Sequence, residues 1–153
     1  MRALVLVFAL AACAPAAEQP ADTPPAQTQE QAVAQPQSVE ANLAAMPNWE
    51  DARAAGVDFR AVGQEPGWLL DIHRERRIVL LADYGESLTE FPLTPPLSPQ
   101  EGATRYETQT QGKTLVITIR RAPCQDAMSG EAYPSTVEVA IDGRTLSGCG
   151  RSV

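Results

Sequence analysis

The sequence predicts a mainly β protein: a small antiparallel β-barrel of about eight strands with a short N-terminal helix and one disulfide. Two observations favour this class. Short runs of alternating apolar and polar residues recur through the second two thirds of the chain, and glycine- or proline-containing turns separate many of them. A chain of 153 residues has room for one domain. A two-sheet sandwich is the alternative arrangement of the same strands.

The chain begins with the features of an export signal, predicted over residues 1–12. Arg2 precedes an apolar run over residues 3–10, which is too short to span a bilayer but suits the hydrophobic region of a signal peptide. The run ends in Leu-Ala-Ala-Cys13, which resembles a bacterial lipobox. This resemblance implies that Cys13 receives lipid and that the mature protein is tethered to the membrane and does not span it.

Residues 13–47 are expected to be the lipidated N-terminus and a disordered tether. The segment is rich in Pro, Gln and Ala, and positions 14–47 hold six prolines and no basic residue. Too little apolar surface is available there to offset the entropy of ordering the chain. Position 14 is Ala and not Asp, so the usual inner-membrane retention signal of such lipoproteins is missing. We therefore expect the periplasmic side of the outer membrane.

The β-domain is predicted over residues 48–153, with the short helix at its start. Asn48 can cap a helix from Trp49 to Ala55, which Gly56 would end. The eight strands follow from alternation and turn chemistry, and a nearly closed barrel best protects the edges of so many short strands. They are Val57–Val62, Trp68–His73, Arg77–Ala82, Leu88–Phe91, Ala103–Thr110, Thr114–Arg120, Ser135–Ile141 and Arg144–Cys149.

Cysteine usage predicts the disulfide. Cys13 belongs to the export signal, so Cys124 and Cys149 are the two cysteines left in the folded part of an exported chain. An oxidising compartment favours their pairing. Such a bridge closes a loop of about 25 residues, which contributes roughly 3 to 4 kcal/mol in the chain-entropy model.

Composition and motifs argue against several classes of function. The formal net charge of −7 disfavours nucleic acid as a partner and suits a basic protein. No metal or cofactor is expected, because the single histidine, His73, belongs to no short-spaced ligand motif. A hydrolase built from Ser129, His73 and Asp126 lacks the Gly-x-Ser-x-Gly elbow, and His73 stands in an arginine-rich turn that looks solvated. The chain is therefore expected not to be an enzyme.

Three segments carry a family resemblance. They are Gly-Gln-Glu-Pro-Gly-Trp-Leu-Leu-Asp-Ile at 63–72, Pro-Cys-Gln-Asp-Ala-Met-Ser-Gly-Glu-Ala-Tyr-Pro at 123–134, and Gly-Cys-Gly at 148–150. Together they resemble a group of uncharacterised bacterial envelope lipoproteins, whose domains are similar to the small barrels of membrane-bound c-type lysozyme inhibitors and META-type lipoproteins. The resemblance implies a binding or interaction domain, with a family motif formed by Glu65, Pro66, Gly67 and Trp68. Packing inside the barrel is the expected role of Trp68.

The segment 123–134 supplies most of the candidate partner-binding residues, which are Asp126, Ser129, Gly130, Tyr133 and, further on, Arg144. Ser-Gly-Glu-Ala-Tyr at 129–133 fits the Ser-Gly-x-x-Tyr opening of the inhibitory loop of c-type lysozyme inhibitors. The paired tryptophans and the Lys-Gly that follow in that family are missing here. The residues also have a local interpretation, in which Asp126 and Ser129 hydrogen-bond a turn and Met128 fills a gap at the barrel end.

These observations leave three hypotheses for the function. The first is a non-catalytic envelope lipoprotein whose domain binds a partner. The second is an inhibitor of c-type lysozyme, in which Ser129 and Arg144 would place donors between the two catalytic carboxylates of the enzyme. The third is a barrel that binds a small apolar ligand in its interior.

Overall fold

A computed structural model describes residues 37–74 and 76–153. This part of the chain begins with one α-helix, α1, at Val39–Ala44. The strands that follow are β1 Val57–Gln64, β2 Gly67–His73, β3 Arg77–Ala82, β4 Ser87–Pro92, β5 Ala103–Thr110, β6 Lys113–Arg120, β7 Cys124–Gln125, β8 Ala132–Tyr133, β9 Ser135–Ile141 and β10 Arg144–Ser152. All eight predicted strands are confirmed, with small differences at their ends. The two-residue strands β7 and β8 were not predicted.

The eight longer strands form one antiparallel sheet with the order β4-β3-β2-β1-β10-β9-β6-β5. The sheet curls until its edges, β4 and β5, lie side by side. Side chains bridge this seam: Thr108 Oγ1 donates to the Pro92 carbonyl at 2.7 Å, and Thr94 Oγ1 donates to the Glu107 carbonyl at 2.9 Å. The predicted nearly closed barrel is therefore confirmed, and the two-sheet sandwich is not formed.

Alternate residues of the strands fill the barrel with apolar side chains. Inward-facing positions are buried because neighbouring strands present the same face, and each large side chain contributes about 1.5–3 kcal/mol by leaving water. The core consists of Ala61, Trp68, Leu70, Ile72, Ile78, Leu80, Ala82, Phe91, Leu115, Ile117, Val137, Val139, Ile141 and Leu146.

Trp68 closes one end of the barrel. Its indole lies against Gly63 of β1 and Gly148 of β10, where an added Cβ would overlap the ring. Both positions therefore require glycine. The side chain is buried, and its Nε1 has no hydrogen-bond partner among the described residues. The expectation that Trp68 packs inside the barrel is met.

The predicted helix at Trp49–Ala55 is wrong. Asn48 does accept a hydrogen bond from the Asp51 amide at 2.8 Å, but residues 49–56 form successive turns. Only one of the bonds at the end of this segment has helical spacing: Ala55 N donates to Asp51 O at 2.9 Å, whereas Val57 N donates to Ala52 O. This wider bond directs the chain into β1 and buries Ala52 completely.

The helix that forms lies earlier, in the segment that was expected to be disordered. Ser38 caps α1 by accepting a hydrogen bond from the Ala41 amide at 3.2 Å. Asn42 is buried and donates to the carbonyls of Gly85 at 2.9 Å and Glu86 at 3.3 Å. The folded domain therefore includes residues 37–47, because a tertiary contact orders a segment of weak local propensity. Residues 1–36, with the predicted signal peptide and Cys13, lie outside the described residues.

Candidate functional site

Residues 124–133 form a compact loop against the outside of the barrel, here called the disulfide loop. Its two ends pair as β7 and β8, with Cys124 opposite Tyr133. Cys124 is bridged to Cys149 of β10 with a Cα–Cα distance of 5.5 Å, so the predicted disulfide is confirmed. Ser129 and Gly130 lie between the paired ends, at the exposed turn of the loop. The bridge and the pairing fix both ends of the loop to the barrel.

Asp126 organises the turn inside the disulfide loop. Its Oδ1 accepts hydrogen bonds from Ser129 N at 2.7 Å, Ser129 Oγ at 2.8 Å and Met128 N at 3.2 Å. Its Oδ2 accepts one from Gln64 Nε2 of β1 at 2.7 Å. These donors favour the carboxylate, and the Ser129 amide is the strongest cause that lowers the pKa of Asp126 to about 2. The expected local turn is formed, and it is tied to the barrel wall.

A second set of contacts fixes the C-terminal side of the loop. Glu131 accepts hydrogen bonds from Arg151 Nη1 at 2.5 Å and from the Tyr133 hydroxyl at 3.1 Å, and both lower the pKa of Glu131. The Arg151 guanidinium lies 4.3 Å from the ring centroid of Trp49 and 5.1 Å from that of Tyr133. The partly exposed Arg151 thus joins the loop to the turns at 49–56. Sequence reasoning did not find this stack, because Trp49 is more than 80 positions from Tyr133.

The tip of the disulfide loop faces solvent. Met128 is 76% exposed, so the expectation that it fills a gap at the barrel end is wrong. The Asp126 turn holds the backbone on either side of it, which directs the side chain outward. A shallow cleft of about 610 Å³ separates the loop from β9 and β10, with Gln125 and Glu138 among its lining residues.

Arg144 is not near the tip. Its guanidinium forms a two-pronged ion pair with the Asp83 carboxylate, at 2.8 and 3.1 Å, and this contact lowers the pKa of Asp83. The structure therefore brings Asp126, Ser129, Gly130 and Tyr133 together but places Arg144 at another turn.

Glu65 and Gly67, two of the residues on which the resemblance was based, contact that same turn, at Asp83–Gly85. Glu65 accepts a hydrogen bond from the Tyr84 hydroxyl at 3.1 Å. The Tyr84 ring lies over Gly67, where a Cβ would come within 2.7 Å of Cδ1, so the motif needs glycine for this close approach. Asp83 and Tyr84 have positive φ angles of 53° and 55°, unusual for residues other than glycine. Tyr84 is 64% exposed.

The residues of the sketched hydrolase are not assembled. Ser129 bonds to Asp126, whereas His73 lies beside Asp71 and Arg77 and hydrogen-bonds the Ala55 backbone. His73 is buried, contrary to the solvated position expected for it, and burial followed by the Arg77 charge lowers its pKa. Within residues 37–74 and 76–153, no group of three or more His, Cys, Asp or Glu side chains is placed to hold a metal ion.

A buried ion pair was also missed by sequence reasoning. Arg60 donates to both oxygens of Asp71 at 2.6 Å, with side-chain exposures of 1% and 0%, and it donates to the Pro47 carbonyl at 2.7 Å. Arg60 and Asp71 are directly opposite each other in the β1–β2 ladder. In the sequence, Arg60 and Asp71 are equally far from the turn that joins β1 and β2, and this symmetry could have predicted that they pair.

The described residues thus define a small disulfide-bridged β-barrel domain with one firmly held and exposed loop. They contain no helix long and apolar enough to cross a membrane. Comparisons of the chain with protein-family models, curated proteins and solved structures found no match. The functional proposals therefore depend on the geometry of this domain and on the sequence signals.

Proposed function

We propose that this chain is a non-catalytic lipoprotein of the cell envelope, anchored through Cys13 to the periplasmic side of the outer membrane, whose barrel binds a protein partner through the disulfide loop. The observation that carries the binding role is a loop fixed at both ends that still presents an apolar tip. The Cys124–Cys149 bridge and the Asp126 turn hold it, and Met128 is 76% exposed.

This geometry suits recognition because the loop is ordered before it binds. A preordered loop loses little conformational entropy on association, so more of the contact energy remains as affinity. A methionine at the tip adapts its three side-chain torsions to the shape of a partner. The cleft between the loop and β9–β10 offers a second contact area, which reaches Ala127, the residue before Met128. The formal net charge of −7 favours a partner with a basic surface.

The lysozyme-inhibitor alternative is less well supported by the contacts. It needs donors that are free to enter between two carboxylates. The Ser129 hydroxyl already donates to Asp126, and Arg144 is paired with Asp83. We therefore expect no inhibition of a c-type lysozyme by a micromolar excess of the purified chain. Inhibition that Ser129→Ala weakens would favour the alternative. An apolar ligand in the interior is also less well supported, because core side chains occupy that space.

The binding role is tested by a photo-crosslinking residue placed at Met128 in cells. A matched control carries the same residue at Gln111, an exposed position in the β5–β6 turn. We expect a discrete protein adduct from position 128 that is absent from position 111 and is lost in the Cys124→Ser/Cys149→Ser variant. Equal adducts from both positions, or none from position 128, would contradict the proposal.

The anchor is tested separately by labelling cells with palmitate and fractionating their membranes. The chain is expected to carry label and to sediment with the outer membrane, and Cys13→Ala is expected to lose both properties. An unlabelled chain that is released with the soluble periplasmic proteins would rule out the anchor without bearing on the loop.

A further inference from the structure

A cleft lies where β1, β5 and β9 begin and β6 ends. The cleft has a volume of about 510 Å³, within the range of roughly 300–1,000 Å³ that is typical of small-molecule sites. We call it the barrel mouth and define it by Phe59, Ser98, Gln100, Tyr106, Ile119 and Ser135, which all line it. It includes none of the residues of the disulfide loop, so a function here is independent of the proposed partner binding.

The floor of the barrel mouth is apolar and largely aromatic. Phe59, Tyr106 and Ile119 are half-buried and pack against the core, so part of each side chain remains accessible from the cleft. The Phe59 ring lies against Gly150, where a Cβ would come within 2.5 Å of Cζ. Tyr106 is opposite the buried Ile117 in the β5–β6 ladder, which places it on the inner face. Phe59 of β1 and Tyr106 of β5 are four strands apart in the sheet order, so each ring offers a separate apolar platform on its own side of the cleft.

The rim of the barrel mouth is polar but offers no excess of one charge. Ser98 and Gln100 are exposed and Ser135 is half-buried, and all three line the cleft, so the rim offers hydroxyl and amide groups that can donate to and accept from a ligand. Two of the charged lining residues, Glu101 and Arg121, have opposite signs. The third, Asp58, is ion-paired with Arg74.

The combination of platform and rim restricts the chemistry of the ligand. A hydrocarbon chain would cover the rim groups without satisfying their hydrogen bonds, which is costly. A charged ligand would find no excess of the opposite charge among the lining residues. The Tyr106 hydroxyl can donate, because a tyrosine keeps its proton at neutral pH, and burial raises the pKa of Tyr106 further. An uncharged molecule with flat apolar faces and several hydroxyl groups fits both surfaces.

We propose that the barrel mouth binds a neutral oligosaccharide. A sugar ring lies with its C–H face against Tyr106, a second ring of the chain can use Phe59, and the hydroxyl groups bond to Gln100, Ser98 and Ser135. The cleft is open to solvent and is lined on one side by the exposed residues Ser98 and Gln100, so it leaves room for a chain of sugars. Specificity comes from the pattern of rim hydroxyls and amide, and the aromatic rings add apolar contact.

The test is a titration of the purified, isotope-labelled full chain with three neutral trisaccharides, chitotriose, maltotriose and cellotriose, followed by nuclear magnetic resonance. We expect at least one of them, at millimolar concentration, to shift the amide signals of the barrel mouth and not those of the disulfide loop. Gln100→Ala is expected to weaken that binding about fivefold, the loss typical of one hydrogen bond. Gln109→Ala, on an exposed position of β5, is the matched control and is expected to have no effect.

A floor variant tests the platform. Tyr106→Ala is expected to weaken binding at least tenfold. Tyr106→Phe keeps the ring and the fold, so it is expected to weaken binding only by the contribution of the hydroxyl group. The absence of shifts with all three sugars, or equal weakening by Gln100→Ala and Gln109→Ala, would overturn the proposal. Displacement of the sugar response by laurate at the same signals would also overturn it, in favour of an apolar ligand.

Discussion

The ion pair between Arg60 and Asp71 gives the sharpest prediction about stability. Both side chains are almost completely buried, and Asp71 accepts two hydrogen bonds of 2.6 Å from the guanidinium. Replacing Asp71 with Leu leaves Arg60 its bond to the Pro47 carbonyl and its contact with the Trp49 ring, 5.1 Å from the guanidinium, and neither supplies a counter-charge. Removing one partner of a buried pair typically costs about 3–5 kcal/mol, because the remaining charge loses both water and counter-charge. We expect Asp71→Leu to cost this much, and Arg60→Met a similar amount.

The double variant Arg60→Met/Asp71→Leu should be far less destabilised than the sum of its parts, since no charge is left buried. Urea denaturation of the purified chain, followed by tryptophan fluorescence, measures these free energies of unfolding. The exposed pair Arg120–Glu138 is the control, because both of its side chains are 46% exposed. Glu138→Leu should cost less than about 1 kcal/mol. Additive costs in the double variant, or equal costs for Asp71→Leu and Glu138→Leu, would refute this reasoning.

Three further predictions concern the disulfide and pH. Reducing Cys124–Cys149 should destabilise the domain by about 3 kcal/mol and lower Tm by roughly 10 °C, and an unchanged melting curve after reduction would contradict this. His73, the single histidine, should titrate below its usual pKa of 6.5. The unfolded chain then binds a proton more readily than the folded domain, so the free energy of unfolding should fall as pH drops below 6.5. A pH titration of the single imidazole resonance measures the pKa in the folded domain. Asp126, whose pKa is lowered from 3.8 to about 2, contributes stability above pH 4 that is lost as pH falls through this window, and Asp126→Asn should flatten the pH dependence of unfolding between pH 4 and 2.

The local chemistry of the disulfide loop was predictable, but its attachments were not. Asp126 and Ser129 form a turn because they are three residues apart and the Asp126 carboxylate reaches the Ser129 amide and hydroxyl. This interaction can be predicted from residue type and spacing alone. The bond from Gln64 and the stack of Arg151 on Trp49 join residues that are far apart in the chain. Arg144, a candidate partner-binding residue together with Ser129, instead pairs with Asp83, 61 positions away in the chain.

The sequence by itself determined the strands, because an alternation of period two buries one face of a strand whatever its neighbours are, as in Leu115 and Ile117. It also predicted the disulfide, because Cys124 and Cys149 are the two cysteines outside the predicted export signal. Only the tertiary structure decided the position of the helix, since residues 49–55 have a cap and a stop but bend into β1, whereas α1 depends on the bond from Asn42 to Gly85. The barrel mouth likewise exists only after closure, because Phe59, Ser98 and Ser135 belong to separate parts of the chain. Hydrophobic alternation and helix capping depend on residues a few positions apart, so they can be read from the sequence. The barrel mouth depends on the pairing of strands that are far apart in the chain.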